Sequence, residues 1–246
     1  LTPFLSLVKS SVQIFVGTSG WLYSWNEAGT LDWYLENSRL NAIELNASFY
    51  RFPFPNQIKS WADKGKNLRW AIKVNRLITH QFKFGEKAKT LWERFQRLFS
   101  PMEKMIDFYL FQLPPNFSPK ARKKLEGFIR WTKLKSQFAL EVRHIDWFSQ
   151  ENYLWAKEEG IIWVSIDAPD LPRDIIKTND TIYLRIHGRT GWYAHNYSSS
   201  ELKEIAQRIL SLKPERVFIF FNNDHAMLKN ARMMKKIINL SLTDQF

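Results

Sequence analysis

The 246 residues carry 36 Lys and Arg against 24 Asp and Glu, a formal charge of +12 that favours anionic partners: a small anionic molecule, a nucleotide or nucleic acid. The sequence contains no cysteine, which excludes disulfides, thiolate chemistry and cysteine-held zinc or iron–sulfur centres. No apolar run approaches the ~20 residues that cross a bilayer, so no membrane partner is expected, and no protein partner is indicated.

In chain order, the start Leu1-Thr-Pro-Phe-Leu-Ser-Leu-Val-Lys9 has no basic leader before its apolar part and no clear cleavage site. A cytoplasmic location is therefore the expectation. A first strand is expected over Val12–Val16, then a helix after Thr30 with Leu31, Tyr34 and Leu35 inward. A second strand over Ala42–Leu45 leads to a helix over Pro55–Lys64 that stops at Gly65, a residue suited to the left-handed helix end. After a third strand, Leu68–Val74, residues Ala88, Leu91, Trp92, Phe95 and Phe99 repeat at helical spacing until Pro101. The fourth strand is Phe108–Leu113, followed by Ser118-Pro119 as N-cap and first residue of a very basic helix reaching Lys135. Strand five, Phe138–Val142, precedes a helix opened by Ser149 and closed by Gly160; strand six is Ile161–Ile166.

Between strand six and strand seven (Ile182–Ile186), Ala168–Asp180 holds two prolines and no helical pattern, so this crossover is abbreviated. Ser198–Glu201 has capping-box spacing ahead of Leu202, Ile205 and Ile209. Strand eight, Arg216–Phe221, and a helix over Ala226–Ile238 complete the pattern. Strands alternating with helices imply parallel strands joined by helical crossovers. The fold expected is a single α/β domain over 1–246, a (β/α)8 TIM-type barrel spanning about 12–239 with short extensions at both ends.

Such barrels carry their active sites at the C-terminal ends of the strands. Alternate strand residues share a face, which groups Glu44 with Asn46, Glu141 with Arg143, and Arg185 with His187. The other face carries Ile43 and Leu45, Leu140 and Val142, and Leu184 and Ile186, suited to helix contact. The polar partners are therefore expected to point into the lumen near its top.

The segments Gly17-Thr-Ser-Gly-Trp21-Leu-Tyr23, Glu44-Leu-Asn46-Ala-Ser48-Phe-Tyr50-Arg51, Phe111-Gln112-Leu-Pro-Pro115, Arg185-Ile-His187-Gly188 and Phe221-Asn-Asn223-Asp224 together resemble the domain of unknown function 72 family, also called YecE-like. The resemblance runs from about Ile14 to Ile238. It implies a TIM-type barrel and no settled activity.

The candidate catalytic residues are Glu44, Glu141 and Asp167, as carboxylates whose environments can divide acid and base roles, and His187, as a proton carrier near neutrality. The same carboxylates also fit a balanced ionic plug with Lys73, Arg143 and Arg185. Anion contacts are assigned to Lys73, Arg143, Arg185 and Arg189. Trp21, Tyr50 and Trp192 are assigned to stacking, and Asn46, Asn222, Asn223 and Asp224 to polar contacts with substrate. The loops after strands seven and eight, where barrels frequently hold phosphate, contain Gly188-Arg-Thr-Gly191 and Asn222-Asn-Asp224.

The cofactor is left open. A divalent metal on His187, Glu141 and Asp167 is disfavoured because the histidines form no known ligand spacing. The basic stretch Lys120–Lys124 with Arg130, Lys133 and Lys135 reads as the solvated face of an outer helix, as does the cluster Lys229, Arg232, Lys235 and Lys236. The function expected is hydrolysis of a phosphate-bearing substrate, a nucleotide or nucleic acid. The alternatives are a carbohydrate-active hydrolase using paired carboxylates and a non-catalytic nucleic-acid-binding protein.

Overall fold

A strand buried on both faces must be apolar almost throughout, and the eight apolar runs of this chain become eight such strands. The computed structural model describes residues 12–243. The Leu1–Lys9 segment therefore lies outside the described residues. The strands are β1 (Gln13–Thr18), β2 (Ala42–Leu45), β3 (Arg69–Lys73), β4 (Ile106–Gln112), β5 (Phe138–Glu141), β6 (Ile162–Asp167), β7 (Thr181–Ile186) and β8 (Arg216–Phe221). They pair in chain order, all parallel, and β8 closes on β1 from Gln13 opposite Arg216 to Thr18 opposite Phe221. This is a (β/α)8 TIM-type barrel.

The outer ring comprises α1 (Leu31–Asn37), the short α2 (Ala47–Tyr50), α3 (Pro55–Lys64), α4 (Glu86–Leu98), α5 (Arg122–Thr132), α6 (Gln150–Glu158), α7 (Ser199–Ser211) and α8 (Met227–Thr243). No helix stands between β6 and β7. Instead, residues 168–180 form a helix-free connection fastened to β6 and the residue before it: Ile176 N–H donates to Ser165 Oγ (2.8 Å), and Thr178 Oγ1 donates to the Ile161 carbonyl (2.7 Å). Among the described residues no helix is long and apolar enough to cross a membrane.

Two helix boundaries differ from the sequence expectation. The basic helix stops at Thr132 because Lys133 adopts a left-handed φ of 56°, and residues Pro119–Ala121 form a 3₁₀ turn before it. The last helix runs five residues past Ile238, with Ile237 and Ile238 buried among its inward side chains. A π-helical turn over Leu77–Gln81, which the sequence pattern does not announce, follows β3.

Four members of the basic clusters, Arg122, Arg130, Arg232 and Lys235, are tied to the scaffold, and the lysines around them are exposed. Arg122 meets Glu151 (2.8 Å) and Arg130 meets Glu159, bridging α5 to α6. Arg232 and Lys235 of α8 donate to the carbonyls of Asn37, Ser38 and Arg39, satisfying the C-terminal end of α1.

Inside the barrel, Phe15, Phe108, Tyr183, Phe218 and Phe220 form an aromatic filling, with Phe15 stacked on Phe218 at 4.6 Å and Phe108 edge-on to it at 4.7 Å. Below that layer, Asp107 is held between Arg69 and Arg216 and closes the N-terminal end. Gly17 permits the tight β1–β2 approach, since a Cβ there would lie 2.4 Å from the Ala42 carbonyl oxygen.

Candidate functional site

Strand alternation continues above the aromatic filling. Ala42, Ala71, Ala139 and Tyr183 face the lumen, so Glu44, Lys73, Glu141 and Arg185, two residues on, face it as well. Arg143, His187 and Asn222 extend the same faces past the ends of β5, β7 and β8. The result is one polar layer at the C-terminal mouth.

Arg185 is its centre. Its guanidinium is fully buried and forks onto Glu44, Nε to Oε2 at 2.9 Å and Nη2 to Oε1 at 2.6 Å, while Nη1 donates to Glu141 Oε2. Glu44 also accepts from Ser19 Oγ (2.7 Å) and from the Tyr183 hydroxyl (2.6 Å), so both its oxygens are saturated. Glu141 shares its second oxygen with Arg143. Burial alone would raise the Glu141 carboxyl, but Arg143 and Arg185 outweigh it and hold that group well below the usual carboxylate range.

His187 is fully buried. Arg143 Nη2 lies 3.2 Å from its Nε2 and Arg185 Nη1 lies 3.4 Å away. Guanidinium nitrogens only donate, so Nε2 accepts and the ring proton sits on Nδ1; the Asn222 amide, 3.3 Å away, then satisfies it by turning its oxygen rather than Nδ2 to the ring. Burial, reinforced by Arg143 and Arg185, pushes the imidazole well below its ordinary pKa, leaving it uncharged at neutral pH.

Lys73 is 8% exposed, and its ammonium lies 4.3 Å from the Phe49 ring centroid. Among the described residues it has no carboxylate within ion-pair distance. Burial, then the charge of Arg185, pulls its pKa from 10.5 to about 7, against the opposing pull of Glu141 and Glu44. The layer thus holds three basic side chains, Lys73, Arg143 and Arg185, and two carboxylates.

The remaining predicted residues lie around this layer. Asp167 projects from the opposite face to the lumen-lining Ile166, so it does not join Glu44 and Glu141. It accepts from the Tyr197 hydroxyl (2.6 Å) and pairs with Arg189 (3.0 Å), which also reaches Glu204 of α7 (2.8 Å). Trp192 covers the mouth: the Arg143 guanidinium lies 4.6 Å from its ring, and its indole N–H donates to Asp170 (3.0 Å).

Asn46 joins Ser19, Trp21, Tyr23 and Tyr50 around a cleft of about 170 Å³. Its buried Oδ1 finds no donor among the described residues. Trp21 is buried edge-on to Trp61, whereas Tyr50 is 68% exposed. Asn223 is turned away to hold the His195 carbonyl (2.7 Å) and Asn230 (2.8 Å), and Asp224 lies in an exposed turn with a φ of 46°.

Sequence reasoning passed over Tyr183 and Tyr197 as carboxylate partners. Tyr183 sits two residues before Arg185, so strand parity was the available signal for it. No local signal marked Tyr197. Among the described residues no three His, Asp or Glu side chains converge in a way that could hold a metal ion.

The family model described as "Protein of unknown function DUF72" matches residues 15–245. The UPF0759 protein YecE of Escherichia coli (strain K12) is 25% identical over 140 residues, 56% of this chain and 51% of that protein; the chain thus spans about half the length of the relatives it matches. A DUF72 family protein of Thermotoga maritima MSB8, solved at 2.20 Å, superposes with a TM-score of 0.78 at 25% identity, covering 92% of this chain and 99% of the other. A DUF72 family protein of Enterococcus faecalis V583 gives a TM-score of 0.81 at 20% identity, covering 92% and 96%, a likeness of fold.

Proposed function

The chain belongs to the DUF72 family, and from that premise we propose that its barrel mouth binds a phosphate-bearing substrate, a nucleotide or nucleic acid, and hydrolyses it. One observation supports this reading: Lys73, Arg143 and Arg185 face only two carboxylates, Glu44 and Glu141, so the layer at the opening holds one more basic group than acidic ones. An anion entering under Trp192 meets Arg143 first. Developing negative charge would then face a guanidinium layer already fixed in place, with no reorganisation required.

In this reading Glu44 and Glu141 hold Arg185 rather than exchange protons, and His187 relays them once an entering anion draws Arg143 off its Nε2. The saturation of both glutamates supports this division. It also weakens the carbohydrate alternative, which needs one carboxyl free to protonate a leaving group. The ties of Arg122, Arg130 and Arg232 to neighbouring helices remove three of the basic groups that nucleic-acid binding through these helices would use. A cytoplasmic setting belongs to the same reading, supported by the absence of cysteine.

The test is product release from a panel of nucleotides and labelled oligonucleotides by wild type, Arg143→Ala and His187→Gln. Turnover lost in both variants is the expected result. Binding without turnover would favour the non-catalytic nucleic-acid binder, and turnover unchanged in both variants would overturn the assignment.

A further inference from the structure

Lys73 stands apart from the other charged groups of the lumen. It lies at the last position of β3, two residues above the lumen-facing Ala71. The charged groups that act on it are already engaged with one another. Glu44 on β2 is taken by Ser19, Tyr183 and Arg185, and Glu141 on β5 by Arg143 and Arg185. Arg143 and Arg185 contribute positive charge, and His80, in the turn after β3, packs edge-on to Phe49 at 5.1 Å. The lysine nitrogen therefore lies over an aromatic ring, with no carboxylate within ion-pair distance among the described residues.

A structural lysine is ordinarily placed to pair, as Lys64 is with Asp32 and Lys89 with Glu86. Desolvation beside other cations does the reverse: it favours the free amine, the form in which lysine acts as a nucleophile. The pKa of about 7 agrees with that placement. A solvated ammonium is inert toward carbonyl carbon, whereas a free amine at a barrel mouth is reactive toward it.

We propose that Lys73 is a nucleophilic amine that condenses with the carbonyl of an aldehyde or ketone carrying a phosphate, the phosphate resting on Arg143. The phosphate half of this proposal rests on the anion site described above. The nitrogen lone pair attacks the carbonyl carbon, and the C=O pair moves to oxygen, which takes up a proton. The carbinolamine then loses that oxygen as water, so that amine plus carbonyl gives imine plus water without oxidant or reductant. Once protonated, the imine is an electron sink for bond breaking at the adjacent carbon.

The experiment treats the full chain at pH 7 with glycolaldehyde phosphate or with glycolaldehyde, reduces with borohydride, and maps the modified lysines by mass spectrometry. Lys73 is expected to be the dominant adduct, about tenfold above any exposed lysine, with the phosphorylated aldehyde preferred and inorganic phosphate protecting. Lys73→Arg should remove that adduct and leave labelling elsewhere unchanged. Equal labelling of Lys73 by both aldehydes would keep the amine chemistry and overturn the phosphate site. Adducts confined to exposed lysines, with Lys73 unmodified by either aldehyde, would overturn the proposal.

Discussion

Arg185 and Glu44, 141 positions apart in the chain, meet across the barrel lumen in a two-point ion pair in which neither side chain is exposed. Closure of the barrel brings the lumen faces of β2 and β7 opposite one another at the mouth, where the two side chains meet. The pair is rigid because the Tyr183 hydroxyl and Ser19 Oγ occupy the remaining acceptor sites on Glu44.

Removing Arg185 leaves Glu44 buried without a cation and Glu141 with Arg143 alone. Arg185→Met is expected to destabilise the fold by about 3–5 kcal/mol, the range for breaking a buried ion pair from one side. Tyr183→Phe removes one hydrogen bond to a charged acceptor and is expected to cost about 2 kcal/mol. Urea denaturation of both variants checks the order; a Tyr183→Phe loss exceeding that of Arg185→Met would contradict it.

Lys73 acts in the opposite direction. Its pKa is about 7 in the fold against 10.5 in the free side chain. Between those values the unfolded chain binds the extra proton, so stability rises as pH climbs from about 7 to about 10.5 and the penalty is full below 7. Lys73→Met is therefore expected to be more stable than wild type at pH 7, by on the order of 3 kcal/mol, with the gap narrowing at pH 10. Denaturant midpoints at the two pH values measure this.

How legible was this in the sequence? The barrel was legible because strands buried on both faces must be apolar throughout, and because Ala168–Asp180 lacked any helical pattern. Parity placed Glu44, Glu141, Arg185 and His187 in the lumen. Parity alone did not remove Asp167 from that group: it lies one residue past Ile166, and only the lumen packing of Ile162, Val164 and Ile166 fixes which face it takes. Pairing was not legible, since which carboxylate Arg185 occupies depends on barrel register. Among the described residues Lys73 has no carboxylate partner because Arg185 has already engaged both glutamates, a competition that local sequence does not encode. The end of α5 was missed because Lys133, not glycine, adopts the left-handed conformation.

His187 is expected to stay uncharged through the range where an ordinary imidazole titrates, because burial and the adjacent Arg143 and Arg185 push its pKa well down. Below about 6.5 the unfolded chain binds a proton at this residue that the fold does not, so its contribution to stability falls as pH falls. Glu141, held low, adds a loss in the same direction below about 4.3. His187→Gln should flatten the stability slope between about pH 6.5 and 5, while imidazole NMR of wild type shows no His187 titration there.

Gly188 sets the loop that carries Arg189 and Trp192. Its φ is 127°, and a Cβ would lie 2.4 Å from the Gly191 carbonyl oxygen. Gly188→Ala is expected to lose about 2 kcal/mol and to shift Trp192 fluorescence as the ring leaves Arg143. An unchanged emission spectrum would show that Trp192 is held independently of this turn.

The central claim, an anion site at the mouth beneath Trp192, is tested most directly by fluorescence anisotropy of a short labelled single-stranded oligonucleotide across a salt series. Wild type, Arg143→Ala and Trp192→Ala are compared. The account predicts binding by wild type and about tenfold weaker binding by each variant at every salt concentration. Identical binding by all three would place the anion elsewhere on the basic surface, and no binding by wild type would equally contradict the claim.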